Sequence, residues 1–252
     1  MNKTGSIILK SFLALVIVFL IIMVLLSVIR PQQREAEYDQ RRDVCGDKLK
    51  VIRTLEEAYK TTYGTYCGNF DTLLYGLHQK KMVVRRKEVT AKAPMDSVYD
   101  VPEKVAKEKG WIVYIDDTIV PLEKLFEDKK LDESYRDEQK LASLIFLPKF
   151  SDKHVGKRFF LKADSIDVSS EGGGKLPTFE AHVELDSLFV DYLESAKSKG
   201  FKKLIEKFTG SNSQWLINKK ADLKERNANN ENFYMGWRVG NLEKITTESN
   251  FE

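Results

Sequence analysis

The sequence predicts an α+β fold in which an N-terminal transmembrane helix continues into an amphipathic stalk helix packed on a mainly antiparallel sheet. Two observations support this fold. The segment Ser11–Ile29 holds seventeen apolar residues among its nineteen, and two later segments alternate between apolar and polar residues, as half-buried strands do. We therefore divide the chain into a short basic leader (1–10), a transmembrane helix (11–29), a juxtamembrane stalk helix (30–63) and an exported α+β domain (64–252).

The apolar segment is predicted to be an anchor that remains in the mature protein. At ~1.5 Å per helical residue its length nearly covers a hydrocarbon core of ~30 Å. A cleavable signal peptide is the alternative, but its apolar part is usually about 7–15 residues long and ends at a small-x-small site. Here the segment ends in Val28-Ile29-Arg30-Pro31, which contains no such site.

The orientation of the anchor is predicted from the charges around it. Basic residues flank both ends, so a strict positive-inside count does not decide the orientation; they are Lys3 and Lys10 before the segment and Arg30, Arg34, Arg41 and Arg42 after it. A short basic leader before the first apolar helix usually starts the export of the chain beyond that helix. We therefore predict a single-pass protein of the inner (cytoplasmic) membrane with its C-terminal domain in the periplasm.

Composition and charge narrow the class of protein. The chain has 42% hydrophobic residues, which is typical of a folded domain. Its 41 basic and 38 acidic residues leave a net charge of only +3, which is too balanced for a protein whose main partner is a polyphosphate. Nucleic-acid binding is therefore not expected, and the expected partners are the inner membrane and a protein of the envelope.

One face of the stalk helix is apolar. We predict that this face packs on the protein's own sheet, and that it comprises Val51, Leu55, Tyr59 and Thr62. Glu56, one position round the helix, is predicted to face solvent. Gly64 is predicted to end the helix, since glycine readily takes the positive φ found after helix C-termini.

The middle of the chain shows mixed signals. Asn69 or Asp71 is predicted to cap a short helix over 72–75. Further predictions are a basic strand over 82–89, a helix over 102–109 with proline in its first turn, and two short strands over 111–120 around Asp116-Asp117. The segment 127–140 is so highly charged that we predict a solvated loop or a surface helix.

The strongest strand signal lies in the second half. Residues 159–163 and 179–185 alternate, and the glycine-rich segment 171–175 between them predicts a hairpin turn. A helix is then predicted from Asp186, an amphipathic helix around residues 201–208, and a strand around Trp237 and Val239.

Cys45 and Cys67 are predicted not to form a bond within one chain. If residues 47–62 are helical, they carry the chain ~24 Å, whereas the five residues after them return at most ~17 Å. A disulfide needs Cα atoms within about 7 Å. Free thiols or an intermolecular bond are therefore expected, unless the helix breaks near Gly46.

Two groups of residues carry a family resemblance. They are Ile52-Arg53-Thr54, Ala58-Tyr59-Lys60, Gly64, Tyr66, Gly68 and Phe70-Asp71 in and after the stalk, and Gly236, Val239-Gly240, Leu242 and Asn250-Phe251-Glu252 in the tail. In these residues the chain resembles an uncharacterised family of small membrane-anchored proteins from Bacteroides-like bacteria. The resemblance implies a fold and an anchor, not a chemistry.

The region from Ser11 to Thr62 also resembles, more distantly, the N-terminal helix of type IV pilins and pseudopilins. In those proteins an apolar half runs into an amphipathic half that packs on an antiparallel sheet. Pilins are cut after a glycine and carry a glutamate at the fifth mature position. A cut after Gly5 would place Lys10 there. A lysine at that position would repel the terminal amine of a neighbouring subunit inside lipid. We therefore do not expect filament incorporation by the usual route.

No catalytic, cofactor-binding or metal-binding motif stands out. The three histidines are His78, His154 and His182, and their spacing does not match a metal site. Glu180, His182 and Glu184 share a strand face, but we interpret them as the solvated side of the hairpin. Gly172-Gly173-Gly174 is a turn and not a phosphate loop, and we interpret Trp111, Trp215 and Trp237 as core residues rather than a ligand groove. No cofactor is predicted.

A basic amphipathic helix is the remaining candidate surface for the membrane or a partner. Its candidate residues are Phe201, Lys202, Lys203, Leu204, Ile205, Lys207 and Phe208, with Lys197 and Lys199 before them. Docking on the protein's own domain is the alternative, since the apolar face is short.

Three functions are compatible with these features. The first is a non-enzymatic envelope protein whose exported domain binds partners or assembles, as a pilin-like scaffold does. The second is a membrane-anchored enzyme whose site is formed by scattered residues. The third is an extracytoplasmic ligand-sensing module, which would signal through a partner in the bilayer. The anchor and the lack of recognisable chemistry favour the first.

Overall fold

The computed structural model describes residues 3–79, 82–90, 103–168, 174–193, 200–230 and 233–251. The helices in these ranges are α1 (Lys3–Tyr63), α2 (Phe70–Gln79), α3 (Glu103–Glu108), α4 (Pro121–Glu127), α5 (Glu138–Ala142), α6 (Leu185–Leu188), α7 (Val190–Leu193), α8 (Phe201–Thr209) and α9 (Asn212–Arg226). The strands are β1 (Met82–Val89), β2 (Ile112–Ile119), β3 (Phe160–Val168), β4 (Gly174–Glu184) and β5 (Gly236–Gly240).

The strands form two separate antiparallel sheets. One has three strands in the order β3-β4-β5, and the other is the pair β1-β2. The described residues contain both helices and strands, and the strand pairs among them are all antiparallel, so the predicted α+β class is confirmed.

Helix α1 is a single helix of 61 residues with Pro31 inside it. It ends as predicted, because Gly64 follows at a φ of +82° and its N–H donates to the carbonyl of Lys60 at 2.8 Å. The segments predicted as transmembrane helix and stalk are therefore one continuous rod.

The second half of α1 docks on two hydrophobic cores. In the first core, Tyr38, Cys45, Leu49 and Ile52 pack with the inner residues of the three-stranded sheet, which include Phe179, Ala181, Val183, Trp237 and Val239. In the second core, Leu55 packs with residues of α2 and α4. One helix thus joins the exposed apolar segment to both cores of the domain.

Several local predictions are confirmed. Strands β1 and β5, helices α3 and α8 and the β3–β4 hairpin lie where predicted, although the hairpin turn at 169–173 lies outside the described residues. Asn69 caps α2, since its side-chain oxygen accepts from the N–H groups of Asp71 and Thr72. Within 127–140 only Leu131 is buried, which fits the surface segment predicted there.

Two local predictions are wrong, and one helix was not predicted. Residues 112–119 form one strand, because Asp116 and Asp117 pair with β1 in register instead of forming a turn. The helix predicted from Asp186 is two short helices, α6 and α7. The prediction also lacked α9, which Ser211 caps by accepting a hydrogen bond from the N–H of Gln214.

Candidate functional site

The first half of α1 exposes nearly all of its apolar side chains. Between Leu9 and Ile29, Met23 is the one buried residue among the side chains described. This segment belongs to the one described helix that is long and apolar enough to cross a membrane. The exposed segment ends at Arg30, which hydrogen-bonds to the domain.

A buried arginine holds α1 to the α8–α9 corner just after that point. Arg34 is only 6% exposed. Its guanidinium donates to the carbonyls of Thr209 at 3.0 Å and Gly210 at 2.8 Å, and to the side-chain oxygen of Asn212 at 3.0 Å. Burial lowers the pKa of Arg34 from its usual value. One turn earlier, Arg30 donates to the hydroxyl of Thr209 at 3.4 Å.

A second buried arginine lies two turns further along the same face. Arg41 donates to both carboxylate oxygens of Asp191 at 2.8 Å and to the carbonyl of Leu188 at 2.7 Å. Its guanidinium lies over the rings of Phe189 and Tyr192 at 4.6 and 5.3 Å. Burial alone would lower the pKa of Arg41. The hydrogen bonds and the charge of Asp191 outweigh this effect, so the pKa of Arg41 is raised above its usual value. The bidentate geometry of the Arg41–Asp191 pair is one in which an ion pair is strong.

The predicted stalk face is buried only in part. Leu55 is fully buried, whereas Val51, Tyr59 and Thr62 are half-buried. Leu55 packs on helices α2 and α4, with only Leu161 of the sheet nearby. The prediction that this face packs on the sheet is therefore wrong, because the sheet is contacted by Tyr38, Cys45, Leu49 and Ile52 on another part of the helix.

Glu56 corrects a further prediction. It is 0% exposed instead of facing solvent. Its Oε2 accepts from the backbone N–H of Cys67 at 2.8 Å, and its Oε1 has no partner among the described residues. Burial raises the pKa of Glu56 to about 8, although the Cys67 hydrogen bond lowers it.

The two cysteines lie apart. Cys45 is in the first core and Cys67 in the second, and both are buried free thiols. Burial raises the pKa of the Cys45 thiol to about 12, against the opposing charges of Lys48 and Arg41. Neither residue has the electropositive, accessible surroundings of a reactive thiol.

An open cleft of about 750 Å³ lies beside β5. Its walls are α1, the C-terminal end of α9, β5 and the tail, and they include Tyr38, Arg42, Asn227, Trp237, Ile245 and Phe251. Tyr234 and Ser249 also line it, and each has a buried side-chain oxygen without a hydrogen-bond partner among the described residues. Trp237 thus belongs both to the first core, as predicted, and to the rim of a groove.

The outer face of the three-stranded sheet carries a charged cluster. His182 Nδ1 lies 2.7 Å from Glu180 Oε1, and Arg238 lies 3.6 Å from the other oxygen of Glu180. The ring of Phe160 stacks on His182 at 4.4 Å. The predicted solvated face therefore holds for Glu184 alone, since the rings and Arg238 cover the other two side chains.

His154, Trp111 and Trp215 have structural roles, whereas His78 is exposed. His154 is buried, with its Nε2 2.8 Å from the carbonyl of Leu188. Trp215 contacts the ring of Tyr38 in the first core, and Trp111 lies in a small cluster with Ile112. No group of three metal-ligating side chains occurs among the residues described.

Helix α8 presents Lys203 and Lys207 outward. Ile205 and Thr209 are buried, Lys203 and Lys207 are exposed, and Phe208 is 63% exposed. Phe208 therefore lies off the docked face, contrary to the single apolar face predicted. The side chains of Phe201, Lys202 and Leu204, and residues 194–199, lie outside those described.

Known proteins add no further constraint on the site. No family model, curated protein or solved structure matches this chain. Three features of the chain itself therefore bear on function: the buried arginines of α1, the cleft beside β5 and the outward face of α8.

Proposed function

We propose that this chain is a non-enzymatic, single-pass protein of the cell envelope, whose exported domain binds a protein partner or assembles with other copies. The observation that carries the proposal is the continuity of α1. Its first half exposes apolar side chains along a length that suits a bilayer, and its second half is built into the domain.

The docking contacts favour a rigid scaffold over a domain tethered by a flexible linker. At ~1.5 Å per residue, Arg34 lies only ~8 Å above Ile29, and Arg41 lies ~18 Å above it. Both guanidiniums are buried and hold backbone carbonyls of the domain. The domain would therefore stand at a fixed height and rotation relative to the membrane, which is useful for presenting a surface to a partner.

The general form also supports the pilin-like part of the proposal. In both cases an apolar helical half precedes a docked half that lies against an antiparallel sheet. The partner surface that we favour is the cleft beside β5, because Ile245 leaves an apolar side chain 59% exposed on its rim.

Topology is tested by adding protease to spheroplasts. The domain should be degraded while an N-terminal fragment stays in the membrane and resists carbonate extraction. Protection of the domain until the inner membrane is opened would reverse the orientation, and release of the fragment by carbonate would contradict the anchor.

Partner binding is tested by photo-cross-linking in native membranes. A photoreactive residue at Ile245 should give a discrete adduct, either to a second copy or to another envelope protein. The matched control is Tyr75, which is 67% exposed on α2 at the opposite end of the docked half of α1. Equal labelling at both positions, or none at Ile245, would contradict a partner surface in the cleft.

Ligand sensing is a second candidate, and the size of the cleft favours it. The cleft volume falls in the range of small-molecule sites. A compound that raises the Tm of the parent, but not of an Ile245→Arg variant with a blocked rim, would favour sensing over assembly.

A further inference from the structure

We propose that α8 lies on the lipid surface beside α1 and binds anionic lipid headgroups through Lys203 and Lys207, with Phe208 immersed at the headgroup boundary. The inference rests on the proposed function, since it requires the apolar half of α1 to be in a bilayer. It adds a second membrane contact, made by the domain itself.

The position of α8 carries the first step. Its C-terminal residue Thr209 is held by Arg30 and Arg34, the first two arginines after the apolar segment. These arginines are ~2 and ~8 Å above Ile29 along the helix. The headgroup region extends ~5–8 Å beyond the hydrocarbon core on each side. The end of α8 therefore lies at headgroup level whenever α1 spans the bilayer.

The side chains of α8 carry the second step. Ile205 and Thr209 are buried and fix the helix on the protein, so that its other side is turned outward. Lys203 and Lys207 are one turn apart and exposed there. Phe208 follows directly, and a phenylalanine exposed to 63% is costly in water but favourable at a lipid boundary.

The local charge balance carries the third step. The acidic residue of α8, Glu206, is half-buried, unlike the two exposed lysines, and its charge acts on Arg34. The outward side described for α8 is therefore positive. A cationic side next to an exposed aromatic ring, at headgroup level, is complementary to an anionic bilayer surface.

The test uses the full chain reconstituted into vesicles of phosphatidylcholine, with or without phosphatidylglycerol. A Phe208→Cys variant carries an environment-sensitive fluorophore, because both native thiols are buried. Spin-labelled lipids should quench this fluorophore, and more strongly in the anionic vesicles. The same label at Tyr75→Cys is the positional control and should stay unquenched.

Variants that reverse the charge of lysines distinguish the binding of anionic lipid from the mere proximity of α8 to the bilayer. Each lysine near an anionic surface contributes roughly a fivefold factor in affinity. Lys203→Glu with Lys207→Glu should therefore abolish the extra quenching in phosphatidylglycerol vesicles. Lys130→Glu with Lys149→Glu, at lysines whose side chains are 64% and 66% exposed elsewhere on the domain, should leave it unchanged.

Three results would overturn the inference. An unquenched label at position 208 in both vesicles, in a chain that resists carbonate extraction, would reject the α8 contact and leave the anchor intact. Extraction of the chain by carbonate would reject the anchor, and the α8 contact with it. A label at position 208 that is shielded from water in native membranes, but is shielded in neither kind of vesicle, would show that a protein covers this surface instead of a lipid.

Discussion

The carboxylate of Glu56 accepts a hydrogen bond from the backbone N–H of Cys67 at 2.8 Å, across the junction between α1 and the loop that leads to α2. The other carboxylate oxygen is buried and lacks a partner among the described residues. Near the end of its docked half, α1 thus carries an acid inside the protein where an apolar residue would be expected.

Stability should therefore fall as the pH rises through the Glu56 titration. Burial raises the pKa of Glu56 from 4.5 to about 8, so the folded state keeps a proton that the unfolded state has lost. Between those pH values unfolding releases a proton, and the contribution of Glu56 to stability declines with pH. A Glu56→Gln variant, which is neutral at every pH, should gain ~1–3 kcal/mol over the parent between pH 5 and pH 8.

Urea unfolding of the full chain in detergent, at both pH values, measures this gain. Glu57→Gln is the matched control, because Glu57 is the exposed neighbour on the same helix, and it should show no such gain. Equal pH profiles for the parent and Glu56→Gln would mean that Glu56 is ionised in the folded protein.

Removing the Arg41 guanidinium should destabilise the domain strongly. An Arg41→Ala change leaves Asp191 half-buried without its bidentate partner and removes one of the two hydrogen bonds to the carbonyl of Leu188. Breaking a buried pair in this way typically costs ~3–5 kcal/mol. The control Arg42→Ala removes a partly exposed arginine that pairs only with Asp39 and Asp43, and should stay within about 1 kcal/mol of the parent. Similar urea midpoints for the two variants would show that Arg41 does not hold α1 to the domain.

The second core should depend on one leucine of α1. Leu55 is 1% exposed and packs among leucines of α2 and α4. Leu55→Ala should cost ~2–5 kcal/mol, because the cavity it leaves cannot collapse fully. Val44→Ala, on the exposed side of the same helix, should cost less than about 0.5 kcal/mol. An unchanged unfolding midpoint for Leu55→Ala, combined with loss of a cross-linked partner, would show that this face of α1 is an assembly surface.

Two glycines with similar backbones should respond differently to alanine. Gly240 ends β5 at a φ of +71°, and a Cβ there would lie 2.3 Å from the carbonyl oxygen of Phe179. Gly110 has a φ of +67° and nothing within 4 Å of its Cβ position. Gly110→Ala should therefore cost about 1–2 kcal/mol of backbone strain alone, and Gly240→Ala more than ~3 kcal/mol. Equal thermal shifts for the two variants would show that β4 moves away from Gly240 to make room.

The thiols of Cys45 and Cys67 should be inert in the folded protein. Both are buried and burial raises the pKa of each, so little thiolate is present at neutral pH. Alkylation followed by mass spectrometry should modify neither thiol in the native chain and both in urea. A Cys45–Cys67 peptide under non-reducing conditions would contradict their positions in separate cores.

Local signals carried the correct predictions from sequence. Gly64 ends a helix through its backbone freedom, and Asn69 caps one through its side chain. The β3–β4 hairpin is predicted by strict alternation of apolar and polar residues. Each of these predictions depends only on residues that are close together in the sequence. Asp116 and Asp117 show the limit of such signals. They resemble a turn in sequence, yet pairing with β1 holds them inside a strand.

The buried arginines and Glu56 escaped prediction for a different reason. A search for apolar periodicity assigns charged positions to the solvated side of a helix, whereas the docked side of α1 includes Arg34, Arg41 and Glu56. Arg41 is stabilised there by Asp191, which lies 150 positions away along the chain. The capping signal of α9 at Ser211 and Gln214 was present in the sequence and would have located its start.

The path of α9 beside α1 has a mechanical consequence. Contacts from Arg34 to Asn212 and from Tyr38 to Trp215 show that the two helices run in the same direction. A pull along α1 from the membrane would load the arginine contacts and both cores together, in shear. A pull on the tail would instead open its hydrogen bonds to β5, such as Asn250 to Arg238, one after another. We therefore expect the protein to resist force best along the axis that leads into the bilayer and least at its C-terminal edge.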